Sequence, residues 1–405
     1  MAPAVAVVPL DDDEYWSDPY PILAELREVH RTAVTPDGTR VVLRWADAEE
    51  IKKRPEFVNE GLEYIEARGF VPGDPLYEWR RHSIGALNGE DHRRLRGLVN
   101  RALTPRSVER VRPIVRGHVT DLLRRAGGDG ILDVRQQIRI VPFLSIAAFL
   151  DISPTEAAEV GRRMQGGAAE AFGPDVTPEI RAAANATFAE AMAFVTGLIE
   201  DRRAAPRDDL LSRLLAIEED GDRLSNEELV VLFTNIFAGA IETTASVMTS
   251  MFIEFARHPA QLELLRCDVE GLVRGATEEV LRMRPGFYAT GNCTTEATSL
   301  AGLDFEAGES VTTIIGGPNR DPRRYADPDR FDITRDPTLW SFTFSMGPHF
   351  CLGQALARAE LQETAAAIAR HTRDLTLVEE PRWLPRTMVN NVERCLVAYE
   401  FVERP

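Results

Sequence analysis

The chain has 405 residues, of which 44% are hydrophobic and 27% are charged, and its formal net charge is −17. This composition is typical of a globular protein with a large buried core, and no apolar run predicts a membrane span. The negative charge argues against nucleic-acid binding, which requires a surplus of lysine and arginine.

The N-terminal segment MAPAVAVVPL is apolar but short, lacks a basic leading region and is followed by an acidic run at residues 11–14. It does not fit a signal peptide or a membrane anchor, so we expect a cytoplasmic protein. We predict an N-terminal tail over residues 1–17 and a single domain over residues 18–405.

A basic cluster lies in a segment with a helical pattern near the start of the first long helical region. Its arginines form a candidate docking face for an acidic protein partner. The cluster contains Arg93, Arg94, Arg96, Arg101, Arg106, Arg110 and Arg112.

One predicted helix is much longer than the others. Ser225 and Glu228 have the spacing of a capping box, and the apolar pattern continues to His258. Roughly thirty residues correspond to about 45 Å, so this helix crosses a whole domain. After Pro285 short β-like stretches alternate with loops, and another strand-like stretch closes the chain. The sequence therefore predicts a mainly α fold with small β sheets.

A single cysteine, Cys351, lies on a glycine-bounded loop directly before a predicted helix. Free backbone N–H groups and the helix dipole at such a position favour the thiolate, which is the form that ligates a metal. The spacing of Phe344, Gly347, His349, Cys351 and Gly353 resembles the haem-binding loop of the cytochrome P450 family at every fixed position. A buried hydrophobic cysteine or a zinc site with His349 explains fewer of these residues.

The resemblance implies a cytochrome P450-like fold, in which the long helix passes over haem b (iron protoporphyrin IX). Cys351 would be the axial ligand of the haem iron, Phe344 would pack beside its sulfur, and His349 would bind a haem propionate. Gly347 and Gly353 would allow the backbone to approach the flat cofactor.

Other cofactor contacts are implied upstream, where His92 and Arg96 are one helical turn apart and project in the same direction. By resemblance both meet a haem propionate, although a solvated basic helix face is the alternative. In one respect the chain departs from the family, because Asn292 occupies a position where an arginine commonly binds a propionate.

Glu279 and Arg282 are three residues apart, so they can form an ion pair on one helix face. The resemblance adds Arg330, from the segment Pro328–Phe331, as the third member of a structural ion-pair triad. Such a buried arrangement is better interpreted as fixing geometry than as adding stability.

The middle of the long helix holds Glu242 and Thr243, which resemble the family's acid–alcohol pair for proton delivery during oxygen activation. Ala240 replaces a glycine of the usual pattern. A threonine that bonds back to its own helix is the alternative explanation for Thr243.

The resemblance also implies an apolar substrate pocket above the haem. Its candidate residues come from the long helix, the segment after Pro285 and a late hairpin. They are Phe237, Ala240, Phe287, Tyr288, Ala289, Thr290, Met388 and Val389.

We therefore expect a haem-thiolate monooxygenase that inserts one atom of O2 into a small, largely apolar organic substrate by hydroxylation or epoxidation. No flavin or nicotinamide fingerprint is visible, so electrons would come from a separate ferredoxin and ferredoxin reductase. Two alternatives remain: a haem-thiolate enzyme of peroxide-driven, coupling or isomerisation chemistry, and a haem-based sensor or carrier. Neither of these would require the Glu242–Thr243 pair.

Overall fold

The computed structural model describes residues 6–102, 105–127, 130–164, 170–173, 176–207, 209–216, 218–219 and 222–403. The contacts divide the chain into two compact units. The first unit comprises residues 1–58, 115–141 and 242–405, and the second comprises residues 59–114 and 142–241.

Helices account for most of the described residues. In chain order they are α1 Asp13–Ser17, α2 Tyr20–Val29, α3 Trp45–Lys53, α4 Glu63–Glu66, α5 Pro75–His82, α6 Gly89–Ala102, α7 Pro105–Gly127, α8 Val134–Gln137, α9 Ile140–Leu150, α10 Pro154–Arg163, α11 Pro178–Ala204, α12 Leu210–Ala216, α13 Asn226–Arg257, α14 Pro259–Cys267, α15 Val269–Met283, α16 Gly316–Asn319 and α17 Gln354–His371.

The strands are short. They are β1 Thr32–Val34, β2 Arg40–Val42, β3 Phe57–Asn59, β4 Ile131–Asp133, β5 Glu218–Glu219, β6 Asp222–Arg223, β7 Ala289–Thr294, β8 Thr298–Leu300, β9 Leu303–Phe305, β10 Ser310–Ile314, β11 Thr372–Leu377 and β12 Leu396–Phe401.

These strands form one five-stranded sheet in the order β1-β2-β10-β7-β3 and smaller sheets, of which β11-β12-β4 is the largest. Strand β10 runs parallel to β2 and antiparallel to β7, so residues far apart in the sequence become neighbours. The predicted fold class, mainly α with small β sheets, is confirmed.

The long helix α13 has the predicted N-terminal cap. The Glu228 amide donates to Ser225 Oγ at 3.1 Å, and the Ser225 amide donates to Glu228 Oε2 at 2.8 Å. These two bonds satisfy backbone donors that a helix start leaves open. The helix ends at Arg257. The next residue, His258, is the N-cap of α14, which begins at Pro259. Its 32 residues agree with the predicted length.

The aromatic core of the first unit supports the loop that leads to Cys351. The Trp45 ring meets Tyr325 edge-on at 6.1 Å between centroids and Phe342 at 6.0 Å. Edge-to-face pairs of this kind each contribute about 0.5–1.5 kcal/mol beyond the area they bury. Phe342 starts a short 3₁₀ turn, so helix α3 and the cysteine loop share one core.

The second unit has its own aromatic core. Trp79 of α5 is 4.7 Å from the Phe188 ring of α11, between centroids, and its indole Nε1 donates to Thr234 Oγ1 of α13 at 2.9 Å. The buried indole N–H is therefore satisfied, which a tryptophan in a core requires. These contacts tie three helices of the second unit together.

Two helices, α11 and α13, are long and apolar enough by length and composition to cross a membrane. The expectation that the chain has no such run is therefore wrong on those criteria. In α13, 56% of the most apolar window is buried inside the protein, compared with 39% in α11. Core packing accounts for much of the apolar surface of α13.

Candidate active site

Cys351 lies at the end of a tightly wound loop in the first unit. Short 3₁₀ turns occupy Phe342–Phe344 and Gly347–His349, and the Cys351 amide donates to the Phe344 carbonyl at 2.9 Å. The cysteine is half-buried and precedes the 18-residue helix α17. The residue thus lies just before the N-terminus of a long helix, and the positive end of a helix dipole favours a thiolate.

The two loop glycines differ in what they do. Gly347 has a φ of +67°, and a β-carbon there would overlap the backbone carbonyl of Lys52. Gly353 has a φ of −84°, and a β-carbon there would meet no heavy atom within 4 Å. The packing of the chain itself therefore requires glycine at position 347 and not at position 353.

An arginine that sequence reasoning missed holds the aromatic side of the loop. The guanidinium of Arg358, on α17, lies 4.4 Å from the centroid of the Phe344 ring and 5.1 Å from that of Trp340. Its Nε also donates to Glu278 Oε1 of α15 at 2.5 Å. Arg358 therefore fixes the Phe344 ring by a cation–π contact while an ion pair anchors it to a second helix.

The other three cysteines have different surroundings. Cys267 is exposed, whereas Cys293 and Cys395 are buried, and none of the four cysteines forms a disulfide in the described chain. Burial raises the pKa of the Cys395 thiol to about 12, so this side chain stays a neutral thiol. Among the described residues no group of three or more His, Cys, Asp or Glu side chains could hold a metal ion.

The predicted ion pair between Glu279 and Arg282 of α15 is present, but its third member is different. Arg282 donates from Nε and Nη2 to the two Glu279 oxygens at 2.8 and 2.7 Å, and both side chains are 2% exposed. Arg335 completes the triad, donating to Glu279 Oε1 at 3.1 Å.

The assignment of Arg330 to this triad is wrong. Its side chain is 64% exposed and pairs with Asp332 at 3.6 Å. Its backbone carbonyl instead accepts from Arg282 at 3.2 Å and from Arg335 at 3.1 Å. The loop turns so that the Arg330 main chain faces the triad while its side chain faces solvent.

Glu242, in the middle of α13, forms ion pairs with two arginines that sequence reasoning did not identify. Arg135 of α8 is 3.3 Å from its Oε2, and Arg139 contacts its Oε1. The Glu242 side chain is 33% exposed, and both arginines border a recess of about 330 Å³. The carboxylate of this half-buried side chain is therefore held by two cations.

Thr243 is half-buried, and its main chain packs against the segment that follows α15. A β-carbon on Gly286 would lie 3.2 Å from the Thr243 carbonyl, a contact tight enough that the Thr243 main chain would have to shift by a few tenths of an ångström. The segment beginning at Phe287, which contains four of the eight candidate pocket residues, therefore starts beside Thr243.

The side chains of the candidate pocket residues in the first unit face different cores. Phe287 packs on the core around Trp45 and pairs with Val389 in an isolated β-bridge. Tyr288 faces the N-terminal core, where its hydroxyl is 2.5 Å from that of Tyr15. Burial raises the pKa of Tyr288 well above its usual value. Core packing accounts for the Tyr288 side chain.

The remaining candidates have varied environments. Ala289 packs on the N-terminal core, the Thr290 hydroxyl accepts from Lys52 at 3.4 Å, and Met388 is 40% exposed. In the second unit Phe237 is 1% exposed and packs edge-on against Phe143, so packing accounts for it as well. Ala240 is half-buried.

His92 and Arg96 lie on α6 in the second unit. His92 is 2% exposed, and burial, followed by the positive charge of Arg96, lowers the pKa of its imidazole. The ring is therefore neutral at neutral pH, when it has one N–H to donate. A buried imidazole with one N–H fits a hydrogen bond to a carboxylate. It does not fit the alternative that His92 belongs to a solvated basic helix face.

The basic cluster is partly neutralised within the second unit. Arg94 pairs with Glu228, Arg110 with Asp151 at 2.9 Å, and Arg112 with Glu109 at 3.0 Å. Arg93 and Arg106 are exposed. The side chain of Arg101 lies outside the described residues.

Comparisons with known proteins agree with this architecture. Residues 176–372 match the family model described as Cytochrome P450. The epothilone C/D epoxidase of Sorangium cellulosum is 31% identical over 94% of this chain and 92% of that protein. The luteothin monooxygenase of Streptomyces thioluteus is 32% identical over 94% of this chain and 93% of that protein. The crystal structure of CalO2 superposes with a TM-score of 0.89 at 29% identity, covering 98% of this chain and 99% of that one.

Two of these relatives are named as an epoxidase and a monooxygenase, and CalO2 shares the fold over 98% of this chain. The chain belongs to the cytochrome P450 family. It is a haem-dependent monooxygenase that hydroxylates or epoxidises organic substrates with O2 and a redox partner. The predicted family, fold and class of enzyme are confirmed.

Proposed function

We propose that this monooxygenase binds haem b through the Cys351 thiolate and inserts one oxygen atom into a small, largely apolar organic substrate. The observation that carries the proposal is the cysteine loop. A half-buried thiol stands before an 18-residue helix, on a loop whose glycine at 347 is required by packing. These are the features that a metal-ligating thiolate needs.

The residues present fit the cofactor. Cys351 offers the soft ligand of the iron, and the aromatic ring of Phe344 is fixed beside the loop by Arg358. His349 on the same loop, and His92 and Arg96 on α6, would hold propionates. The lowered pKa of His92 keeps its imidazole neutral, so it would act there as a hydrogen-bond donor rather than as a charge.

Bound haem supplies the activation of O2, and a thiolate ligand increases electron density for O–O cleavage. The chain must deliver protons. Glu242 is held by Arg135 and Arg139, and its side chain is 33% exposed, so water can approach this residue. The neighbouring residue Thr243 is half-buried, and its hydroxyl would pass a proton inward from Glu242.

The ligand assignment is tested by the spectrum of the reduced, carbon monoxide-bound protein. We expect Cys351→Ala to lose the thiolate-type absorption band, because the only other sulfur in residues 344–353 is the thioether of Met346, which cannot form a thiolate. Cys267→Ala, which changes an exposed cysteine, is the matched control and should keep the band. A Cys351→Ala protein that binds haem and keeps the band would overturn the proposal.

The proton route is tested by Thr243→Ala. Positioned proton donors typically contribute about 10²–10⁴-fold to a rate, so coupled product formation should fall by about a hundredfold. Electron uptake should continue and yield peroxide. Thr249→Ala is the control, because the Thr249 hydroxyl only bonds back to the Ala245 carbonyl of its own helix. Full coupling of reductant use to product in Thr243→Ala would overturn the role of Thr243 in proton delivery.

The substrate class follows from the relatives and the candidate pocket. Two relatives are named as an epothilone epoxidase and a luteothin monooxygenase, which supports oxidation of a natural product of secondary metabolism. The proposed pocket segment from Phe287 is mainly apolar, which favours substrates held by hydrophobic contact. A spin-state shift of the haem on adding such compounds identifies those that enter the site.

We propose a ferredoxin and a ferredoxin reductase as the electron donors, in a cytoplasmic setting. The exposed arginines of the basic cluster, Arg93 and Arg106, remain available to an acidic protein. The ion pairs of Arg94, Arg110 and Arg112 leave less charge for docking than the sequence alone indicates.

A further inference from the structure

A lysine is buried beside the cysteine loop. Lys52, near the end of α3, is 7% exposed, and its Nζ donates to Asn292 Oδ1 at 2.6 Å and to Thr290 Oγ1 at 3.4 Å. The next residue, Lys53, has a side chain that is 64% exposed and pairs with Glu49. Burying an ammonium group is costly, so the position of Lys52 requires an explanation. The exposed ammonium group of Lys53 requires none.

Asn292 orients this ammonium. The asparagine is 2% exposed, and its Nδ2 donates to the Val58 carbonyl at 3.0 Å. With the amide nitrogen engaged by a carbonyl, the oxygen Oδ1 is directed at Lys52 Nζ. Asn292 therefore acts as an acceptor that positions a cation.

The lysine also adjoins the loop that carries the candidate haem ligands. Its backbone carbonyl packs against Gly347 so closely that a β-carbon would overlap it. Gly347 begins the 3₁₀ turn that ends at His349, and Cys351 follows two residues later. The buried cation and the cysteine loop are thus parts of one packed arrangement.

We propose that Lys52, oriented by Asn292, supplies the positive charge for a haem propionate in place of an arginine at position 292. The inference rests on the proposed function, because it requires haem at the cysteine loop. A propionate carboxylate would accept a hydrogen bond from the Lys52 ammonium, with opposite charges on the two groups. Such a bond is stronger than those that Lys52 donates to the neutral oxygens of Asn292 and Thr290. Lysine reaches the site as a point charge from α3, whereas an arginine would reach it from β7.

The experiment measures haem release from the holoprotein by transfer to excess apomyoglobin, a readout that does not depend on turnover. Lys52→Met should release haem about tenfold faster or more, which corresponds to about 1.4 kcal/mol. Lys52→Gln, which keeps a polar group but removes the charge, should behave in the same way. Lys53→Met is the matched control and should differ from the unchanged protein by less than about twofold.

Two further measurements identify the anion and the charge. With haem dimethyl ester, whose propionates are neutral, Lys52→Met and the unchanged protein should release the cofactor at the same rate. Adding Asn292→Arg to Lys52→Met should slow release again, because it restores a cation near the same place.

The outcomes separate this inference from the proposed function. Thiolate-type haem that leaves Lys52→Gln and Lys52→Met as slowly as the unchanged protein would overturn the role of Lys52. An acceleration of equal size with the esterified haem would overturn it as well. If the proposed function is wrong, the protein without any substitution will lack thiolate-type haem.

Discussion

Glu279→Gln is expected to lower the free energy of unfolding by about 3–5 kcal/mol, because it leaves one buried and one half-buried guanidinium group without their carboxylate. Arg282 is 2% exposed and Arg335 is 17% exposed, so water solvates neither freely. The glutamine amide would also place N–H groups toward these donors.

The loss should extend beyond the ion pairs. Glu279 Oε1 also accepts from the Asp332 amide at 2.8 Å, while Arg282 Nη1 donates to the carbonyls of Asn319 at 3.0 Å and Pro328 at 2.6 Å. The triad therefore holds several backbone segments to α15. The variant should lose haem because these segments precede the cysteine loop.

Urea unfolding of the full chain and the haem content of purified protein measure the effect. Glu270→Gln is the matched control on the same helix, since Glu270 is 86% exposed and pairs with Arg370 at the surface. An exposed pair contributes about 0–1 kcal/mol, so the control should be nearly neutral. Equal midpoints for the two variants would show that the triad does not stabilise the fold.

The triad also shows which interactions can be predicted from the sequence. The pair of Glu279 and Arg282 depends only on helix periodicity, and the structure contains it. The third member depends on the path of an irregular loop, which has no periodicity. That loop turns the Arg330 side chain into solvent and brings in Arg335, five residues later.

The same distinction explains the missed residues. Arg135 and Arg139 meet Glu242, and Lys52 meets Asn292 across 240 positions, through packing that no local pattern encodes. The cysteine loop, in contrast, is a short motif that could be identified at once. Within the segment after Pro285, the sequence showed which residues are apolar but not which core each one faces.

Gly347→Ala is the second change with a large expected effect. A non-glycine residue at the left-handed φ of +67° costs roughly 1–2 kcal/mol. The new methyl group would also overlap the Lys52 carbonyl, which is backbone and cannot rotate away. We expect a total loss of about 3–4 kcal/mol in the free energy of unfolding, at the upper end of single substitutions.

Gly353→Ala provides the matched control, because it adds the same methyl group six residues later in the same loop. Its φ of −84° suits alanine, and no heavy atom lies within 4 Å of the added carbon. A compatible Gly→Ala change typically stabilises by about 0.4–1 kcal/mol through the unfolded state. Urea midpoints of the two full-length variants, measured without added haem, should therefore move in opposite directions. A Gly347→Ala midpoint at or above that of Gly353→Ala would mean that the loop can relax away from α3, and that close packing on Lys52 does not hold Cys351 in place.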